Sequence, residues 1–141
     1  MNKTAPTRKL PFAFRLDLAS GVPVYRQIID QVQGGIASGS LATGEQLPTV
    51  RQVAVDLAIN PNTVLRAYRE LEIRGVIETQ QGTGTFIAEK QIQKDEVERA
   101  RQLDQLVREF VSRAGANGFT VAELIGHLQE LLPEPDNKKR R

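Results

Sequence analysis

The chain has 141 residues, with 19 Lys or Arg against 17 Asp or Glu, and its formal charge is +2. Its last four residues are all basic, so the bulk charge does not by itself indicate a nucleic-acid partner. Cysteine is absent, which excludes disulfide and thiolate chemistry and agrees with a reducing compartment. No apolar run is long enough for a signal peptide or a membrane span, so we expect a cytoplasmic protein without membrane contact.

Residues 1–23 are predicted to form a flexible basic arm. The segment contains three prolines and four basic residues against one acidic residue, and it shows no helical period. Most chain termini of this kind are disordered. The charge leaves a second role open, in which the arm lies along a DNA duplex.

A helix is predicted to follow, from about residue 24 to residue 38. Gly39 stands where a residue just past a helix end is expected. Gly34 and Gly35 lie inside the helix, where each costs about 1 kcal/mol relative to alanine. Either the helix frays there or another backbone packs closely against it. The apolar stripe that predicts the helix consists of Tyr25, Ile28, Ile29, Val32 and Ile36.

Two short helices joined by a tight turn are predicted next. Thr49, followed by Gln52, fits a capping box at the start of the first of them. Asn60 can cap the second, and Pro61 suits its first position because the missing N–H would have no helical partner there. Gly75 predicts that this helix ends near residue 74.

The second of these helices has one apolar and one polar side. At about 100° per residue, Val64, Tyr68 and Leu71 line one side, and Asn62, Arg66 and Arg69 point the opposite way. Thr63 lies at the flank. Such a polar side is ordinarily a solvated surface, but a helix that follows a tight turn and carries Asn, Thr and Arg outward is also how a major-groove reader is built.

A hairpin is predicted after the second helix, with strands at residues 76–80 and 85–88. Helix, turn, helix and hairpin is the order of a winged helix. Gly82 and Gly84 leave room for the backbone to approach a phosphate or the minor groove, and Thr83 offers a hydroxyl; turn geometry alone is the ordinary reason for such glycines. A nucleotide-binding loop is excluded, because the third glycine is absent and a strand follows.

Four separated motifs stand in order along the predicted winged domain: Pro23-Val24-Tyr25-x-Gln27-Ile28, Ile36-x-x-Gly39-x-Leu41-x-x-Gly44-x-x-Leu47-Pro48-x-x-Arg51, Asn62-Thr63-Val64 and Gly82-x-Gly84-Thr85-Phe86. With these motifs, the sequence resembles the GntR family of bacterial transcription factors from about residue 24 to residue 87. The resemblance implies that Arg51, Asn60, Asn62 and Thr63 bind DNA, together with the wing around Gly84. Many relatives carry Arg directly after the position of Val64, where this chain has Leu65.

The predicted DNA-binding domain therefore spans residues 24–90 and acts on double-stranded DNA. Its site combines residues placed outward by the helical period with those that the resemblance implies. The candidate DNA-binding residues are Arg51, Asn60, Asn62, Thr63, Arg66, Arg69, Thr83 and Gly84.

Residues 91–135 are predicted to form two helices, and residues 136–141 a basic disordered tail. Thr120 forms a capping box with Glu123 at the start of the second helix. Two helices of this length cannot bury two apolar faces by themselves, so we predict packing against a second copy; folding back onto the winged domain is the alternative. The predicted dimerisation residues are Leu103, Leu106, Val107, Phe110, Leu124, Leu128 and Leu131.

The fold class expected is mainly α with a small β-hairpin: a winged helix-turn-helix domain followed by a short two-helix dimerisation tail. The function expected is a dimeric repressor on a palindromic operator. The two-helix tail resembles the YtrA-type subgroup, which implies control of a transporter operon. The alternatives are a winged-helix protein-interaction module and the N-terminal fragment of a larger cofactor-dependent regulator.

No catalytic residue, metal site or cofactor is predicted. His127 is the lone histidine and has no cysteine or paired carboxylates beside it, so neither a metal site nor an enzyme is expected. A small-molecule effector stays open as a partner. It would have to bind a surface groove, the dimer interface or the hinge near Lys90, since no separate sensor domain is expected.

Overall fold

The computed structural model describes residues 12–89 and 95–133. The chain divides into two compact units between residues 89 and 90. The predictions for residues 1–11, 90–94 and 134–141 lie outside the described residues.

The described residues are mainly helical with one small antiparallel hairpin, which confirms the predicted fold class of a winged helix-turn-helix with two further helices. Along this part of the chain, no helix is long and apolar enough to cross a bilayer. The elements, in chain order, are α1 (Val24–Ser38), α2 (Val50–Leu57), α3 (Pro61–Ile73), β1 (Ile77–Gln80), β2 (Gly84–Ile87), α4 (Glu96–Ala116) and α5 (Val121–Glu130).

Helix α3 packs against α1, α2 and β1, so it stands at the centre of the first unit. The core is mainly aliphatic, and removing this apolar surface from water is what holds the three helices together. The largest fully buried side chains are Ile28, Ile29, Val32, Leu41, Val64, Leu71 and Ile77.

The two helices of the helix-turn-helix begin after Thr49 and Asn60, as predicted, but only the hydroxyl's half of the predicted capping box is present at Thr49. The Thr49 hydroxyl accepts from the N–H of Gln52 at 3.1 Å, and the Asn60 side chain accepts from the N–H of Asn62 at 2.8 Å. Pro61 occupies the first position of α3, as the sequence predicts. These caps satisfy backbone donors that would otherwise lack partners, and they fix where each helix starts.

A short extended segment adds to the hairpin. Gln46 bridges Phe86 in antiparallel register, the Leu47 N–H donates to the Thr85 carbonyl at 2.8 Å, and the Ile87 N–H donates to Glu45 at 2.9 Å. The chain between α1 and α2 thus pairs with β2. This pairing ties the wing to the start of α2, and no local pattern in the sequence predicts that connection.

Residues 12–23 belong to the first unit and pack against its helical core. Phe14 is buried in the core, and Phe12 meets its ring edge to face with 5.1 Å between the centroids. A Cβ on Gly35 would lie 2.9 Å from the Phe12 ring and 3.0 Å from Leu41, so side chains, and not a second backbone, occupy the space beside this glycine. Helix α1 continues through both of its glycines without fraying.

Two glutamines of α1 hold the same segment by hydrogen bonds. The Gln31 amide accepts from the Arg15 N–H at 2.8 Å and donates to the Arg15 carbonyl at 2.6 Å. The Gln27 amide does the same with Asp17, at 2.8 and 2.9 Å. The expectation of a flexible arm is therefore corrected for residues 12–23, because tertiary contacts order a stretch that has no period of its own.

The second unit is a helical hairpin of α4 and α5. The predicted capping box is present: the Thr120 hydroxyl accepts from the Glu123 N–H at 3.2 Å, and the Glu123 carboxylate accepts from the Thr120 N–H at 2.8 Å. The Phe119 N–H closes the turn on the Ala114 carbonyl at 2.9 Å. Ala114 is the one buried residue within 95–133, so this unit has almost no core of its own.

Candidate nucleic-acid interface

Helix α3 presents a polar face on the side opposite the core. Val64 and Tyr68 are buried, whereas Asn62, Arg66 and Arg69 are exposed. This is the partition that the helical period predicts. An exposed row of one amide and two guanidinium groups offers hydrogen-bond donors to phosphates and to the major-groove edges of bases.

Tyr68 fixes α3 against the start of α2. Its hydroxyl donates a hydrogen bond to the Pro48 carbonyl at 2.6 Å. Burial raises the pKa of Tyr68 well above its ordinary value, so the hydroxyl stays neutral and keeps its donor proton. Arg51 follows in the first turn of α2 and is exposed. The hydrogen bond therefore helps to set where Arg51 stands relative to the outer face of α3.

The Arg66 side chain stacks on an aromatic ring of α1. Its guanidinium carbon lies 3.8 Å from the centroid of the half-buried Tyr25 ring. The contact is a cation–π interaction, which attracts the cation to the negative face of the ring. Arg66 is thus exposed as predicted but held towards α1, a detail that the helical period alone does not reveal.

The outer face of α3 contains a shallow depression of about 450 Å³. Its only acidic lining residue, Glu70, accepts a hydrogen bond from Arg74 at 2.7 Å and so has its charge compensated locally. The uncompensated charges of the depression are positive, which suits an anionic partner. The lining residues are Asn62, Leu65, Arg66, Arg69, Glu70 and Ile73.

Asn60 and Thr63 lie at the start of α3. Asn60 is exposed, but the oxygen of its side chain already accepts the Asn62 N–H as the helix cap. Thr63 is half-buried at the flank, and its N–H donates to the Asn60 carbonyl at 3.0 Å. Both residues therefore stabilise the first turn of α3 through these hydrogen bonds.

One glycine of the hairpin tip, Gly84, is required by the packing around it. Gly84 has φ +136°, and a Cβ there would lie 2.5 Å from the Gln46 amide nitrogen. That nitrogen donates to the Thr83 carbonyl at 3.2 Å, so Gln46 fills the space that a side chain would need. Gly82 faces open space with φ +78°, and the Thr83 side chain is exposed. Thr83 and Gly82, more than Gly84, are the accessible groups of the tip.

The apolar residues of the second unit are uncovered within the described chain. Leu124 is half-buried, and the other predicted dimerisation residues are exposed, from 46% at Phe110 to 65% at Leu106. Four further apolar residues are exposed and are not among the predicted dimerisation residues: Phe119, Val121, Ile125 and Leu132. The spacing of Val121, Leu124, Ile125 and Leu128 is itself helical, so the same periodicity test could have found two of them.

His127 stands on α5 with Nδ1 3.6 Å from a Glu130 carboxylate oxygen, and both side chains are highly exposed. No group of three or more His, Cys, Asp or Glu suited to a metal ion occurs in the described parts of the chain.

Comparison with known proteins identifies the family. The family model for bacterial regulatory proteins of the gntR family matches residues 24–87. The chain is 40% identical over 110 residues to the HTH-type transcriptional regulator YhcF of Bacillus subtilis, covering 75% of this chain and 87% of YhcF. It is 38% identical over 114 residues to the regulator Rv1152 of Mycobacterium tuberculosis, covering 81% and 89%. The chain belongs to the GntR family.

The chain is also similar to a repressor and to two proteins of similar fold whose structures are solved. The chain is 45% identical over 75 residues to the transcriptional repressor YtrA of Bacillus subtilis, covering 53% of this chain and 58% of YtrA. It superposes on a transcriptional antiterminator from Listeria monocytogenes with TM-score 0.62, 29% identity and coverage of 84% and 89%. YtrA from Sulfolobus acidocaldarius gives TM-score 0.53, 30% identity and coverage of 74% and 99%. This GntR-family chain is a DNA-binding transcriptional regulator and not an enzyme.

Proposed function

We propose that the chain is a dimeric, sequence-specific repressor that binds a palindromic operator in double-stranded DNA with α3 in the major groove. The observation that carries the proposal is the exposed row of Asn62, Arg66 and Arg69 on α3, opposite a fully buried apolar side. A helix of this kind fits the width of the major groove, where base edges offer acceptors to Asn and Arg.

The remaining candidate residues are placed around α3 where they could contact the DNA backbone. Arg51 begins α2, and Asn60 and Thr63 begin α3, where side chains and N–H groups commonly meet phosphates. Thr83 and Gly84 belong to the tip of the wing, which suits a contact to a phosphate or the minor groove. These contacts would fix the register of the protein on the duplex, while Asn62, Arg66 and Arg69 would face the bases.

Dimerisation through α4 and α5 would double this interface. The uncovered apolar residues of the second unit support the proposal, because exposed patches of this kind mark interaction surfaces. A two-fold dimer places two reading helices about 34 Å apart, one turn of duplex or a multiple of it, and so calls for a palindromic operator.

The proposal also covers the direction of regulation, the regulated genes and the location of the protein. The related YtrA of Bacillus subtilis is named a transcriptional repressor, which supports repression by this chain. Resemblance to the YtrA-type subgroup supports a transporter operon as the target and the cytoplasm as the location. Transcript levels of the adjacent genes in a deletion strain test this part: we expect them to rise, and a fall would indicate an activator.

The DNA-binding proposal is tested with the full chain and a duplex taken from beside its own gene. Binding is measured by fluorescence anisotropy at several salt concentrations, and affinity should fall steeply as salt rises, because bound phosphates release counterions. We expect Asn62→Ala and Arg66→Ala each to weaken binding by about 1–3 kcal/mol with an almost unchanged thermal midpoint. Arg108→Ala removes an equal charge from the second unit and serves as the matched control.

The outcomes separate the proposal from a protein-interaction module. A module that contacts only other proteins would show no salt-dependent DNA binding, and the three variants would behave alike. Losses of folding stability equal to the losses of affinity in Asn62→Ala and Arg66→Ala would mean that these side chains act through the fold and do not contact DNA.

A further inference from the structure

Leu65 is an apolar residue on the outer part of α3 without a place in the core. It is half-buried and lines the same depression as Asn62 and Arg69. Within the described chain, it belongs neither to the core nor to the partly buried apolar residues packed against the core. Packing of the fold therefore gives no reason for a leucine at this position.

The position of Leu65 within α3 is that of a reading residue. It is the fifth residue of a helix that begins at Pro61, and reading helices contact base edges mainly through their N-terminal half. Asn62 lies one turn before it and Arg69 one turn after it, so the three side chains are neighbours on the helix surface. Any base that meets Asn62 or Arg69 passes close to Leu65.

The guanidinium of the neighbouring Arg66 does not cover Leu65. Arg66 is held over the Tyr25 ring of α1, 3.8 Å from its centroid, and so is drawn towards α1. The apolar side chain of Leu65 is the group that α3 offers between Asn62 and Arg69. An aliphatic group facing base edges is favourable only where it meets another apolar group, because polar base edges lose their water there without a new partner.

We propose that Leu65 is a specificity-determining residue that contacts the C5-methyl group of a thymine in each half-site. The thymine methyl is the apolar group that the major groove presents, and its contact with apolar side chains distinguishes A·T from G·C pairs. The inference rests on the proposed DNA-binding function. To that function it adds the identity of one base, a thymine, next to the bases that Asn62 and Arg69 contact.

The test uses deoxyuridine, which differs from thymidine at this edge only by the missing methyl. The full chain selects its preferred sequences from a random duplex library, and each thymine of the selected duplex is then replaced singly by deoxyuridine. We expect one thymine per half-site at which the wild type loses about fourfold in affinity, the value for burying one methyl-sized group. In Leu65→Ala the ratio of the two affinities at that position should fall to about one.

Two further variants keep the test decisive. Leu65→Gln retains the length of the side chain without its apolar end, and it should also lose the discrimination, even if Leu65→Ala fails to fold. Val55→Ala truncates an exposed aliphatic residue of α2 outside the depression and should keep the wild-type ratio.

The outcomes distinguish this inference from the proposed function. A selected sequence in which no thymine methyl effect depends on Leu65 would overturn the inference and leave sequence-specific binding intact. A library from which no sequence is enriched would overturn both.

Discussion

Arg66 shows how a single contact can prepare a side chain for its partner. A long exposed arginine has many rotamers, and ordering it on binding costs about 0.5–1.5 kcal/mol. The stack on Tyr25, at 3.8 Å, already restricts the guanidinium before DNA arrives. Tyr25 therefore acts as a positioning residue in our proposal, through Arg66 and without touching DNA itself.

We expect Tyr25→Leu to weaken DNA binding by about 0.5–1 kcal/mol, because it removes the ring under Arg66, whereas Tyr25→Phe should bind almost as tightly as the wild type. The measurement is a double-mutant cycle on affinity with Arg66→Ala. In the Arg66→Ala background, Tyr25→Leu should have no further effect. An equal loss in both backgrounds would show that Tyr25 acts through the packing of α1 and not through Arg66.

Tyr68 gives a prediction for alkaline pH. Because burial favours the neutral hydroxyl in the folded state, the pKa of Tyr68 lies above the unfolded value of 10.0. Its contribution to stability is therefore complete below about pH 10 and is lost as the pH rises further. Tyr68→Phe removes the hydrogen bond to Pro48, at a cost of about 1 kcal/mol, and also removes this part of the pH dependence.

Denaturant unfolding between about pH 8 and 11 measures this effect. The wild type should lose more stability over that range than Tyr68→Phe. Val55→Ala truncates an exposed side chain of α2 that does not titrate, and it should keep the wild-type slope. Parallel slopes for all three proteins would mean that Tyr68 ionises as readily in the folded state as in the unfolded state.

The period of a helix predicts which residues of α3 face outward, but not where their ends go. Arg66 and Arg69 both lie on the outer face, yet it is Arg66 that stacks on an aromatic ring, and that ring comes from another helix. The role of Gly84 likewise depends on Gln46, 38 positions earlier in the chain. Contacts between distant segments have no periodic signal in one sequence, so these parts of the candidate site could not be predicted.

At the scale of elements, boundaries were the most predictable feature. Caps such as Thr49, Asn60 and Thr120 act on backbone groups two or three residues away, so their sequence signal is local and complete. Residues 12–23 are the opposite case, since Gln27, Gln31 and the core order them from outside. Local sequence describes such a segment as an arm because everything that fixes it lies elsewhere.

The paired glycines of α1 provide a matched test of this packing. Gly34→Ala should raise the free energy of unfolding by up to about 1 kcal/mol, because alanine favours the helix and a Cβ there meets open space. Gly35→Ala should lower it by about 1–3 kcal/mol, because its Cβ would overlap the Phe12 ring and Leu41. Denaturant titration checks both. Equal gains in the two variants would mean that Phe12 moves away easily and holds residues 12–23 only weakly.

At the scale of the whole molecule, the second unit poses a question of stability. A helical hairpin whose one buried described residue is Ala114 gains little from removing apolar surface from water. Its capping box and surface ion pairs, such as Arg108 with Asp104 at 2.8 Å, contribute little each. Association with a second copy would supply the missing burial, and this is the physical basis of the proposed dimer.

Placing a charge among the predicted dimerisation residues should therefore disrupt assembly and, with it, operator binding. We expect Leu106→Asp and Leu128→Asp to sediment as monomers, because a carboxylate buried in an apolar interface lacks a partner. Their affinity for a palindromic duplex should fall towards that for a single half-site, since each monomer carries one α3. Ser112→Asp adds the same charge to α4 outside the predicted dimerisation residues and should remain dimeric. Sedimentation velocity and anisotropy on the same samples make the measurement, and dimers in both leucine variants would place the contact between copies elsewhere on the molecule.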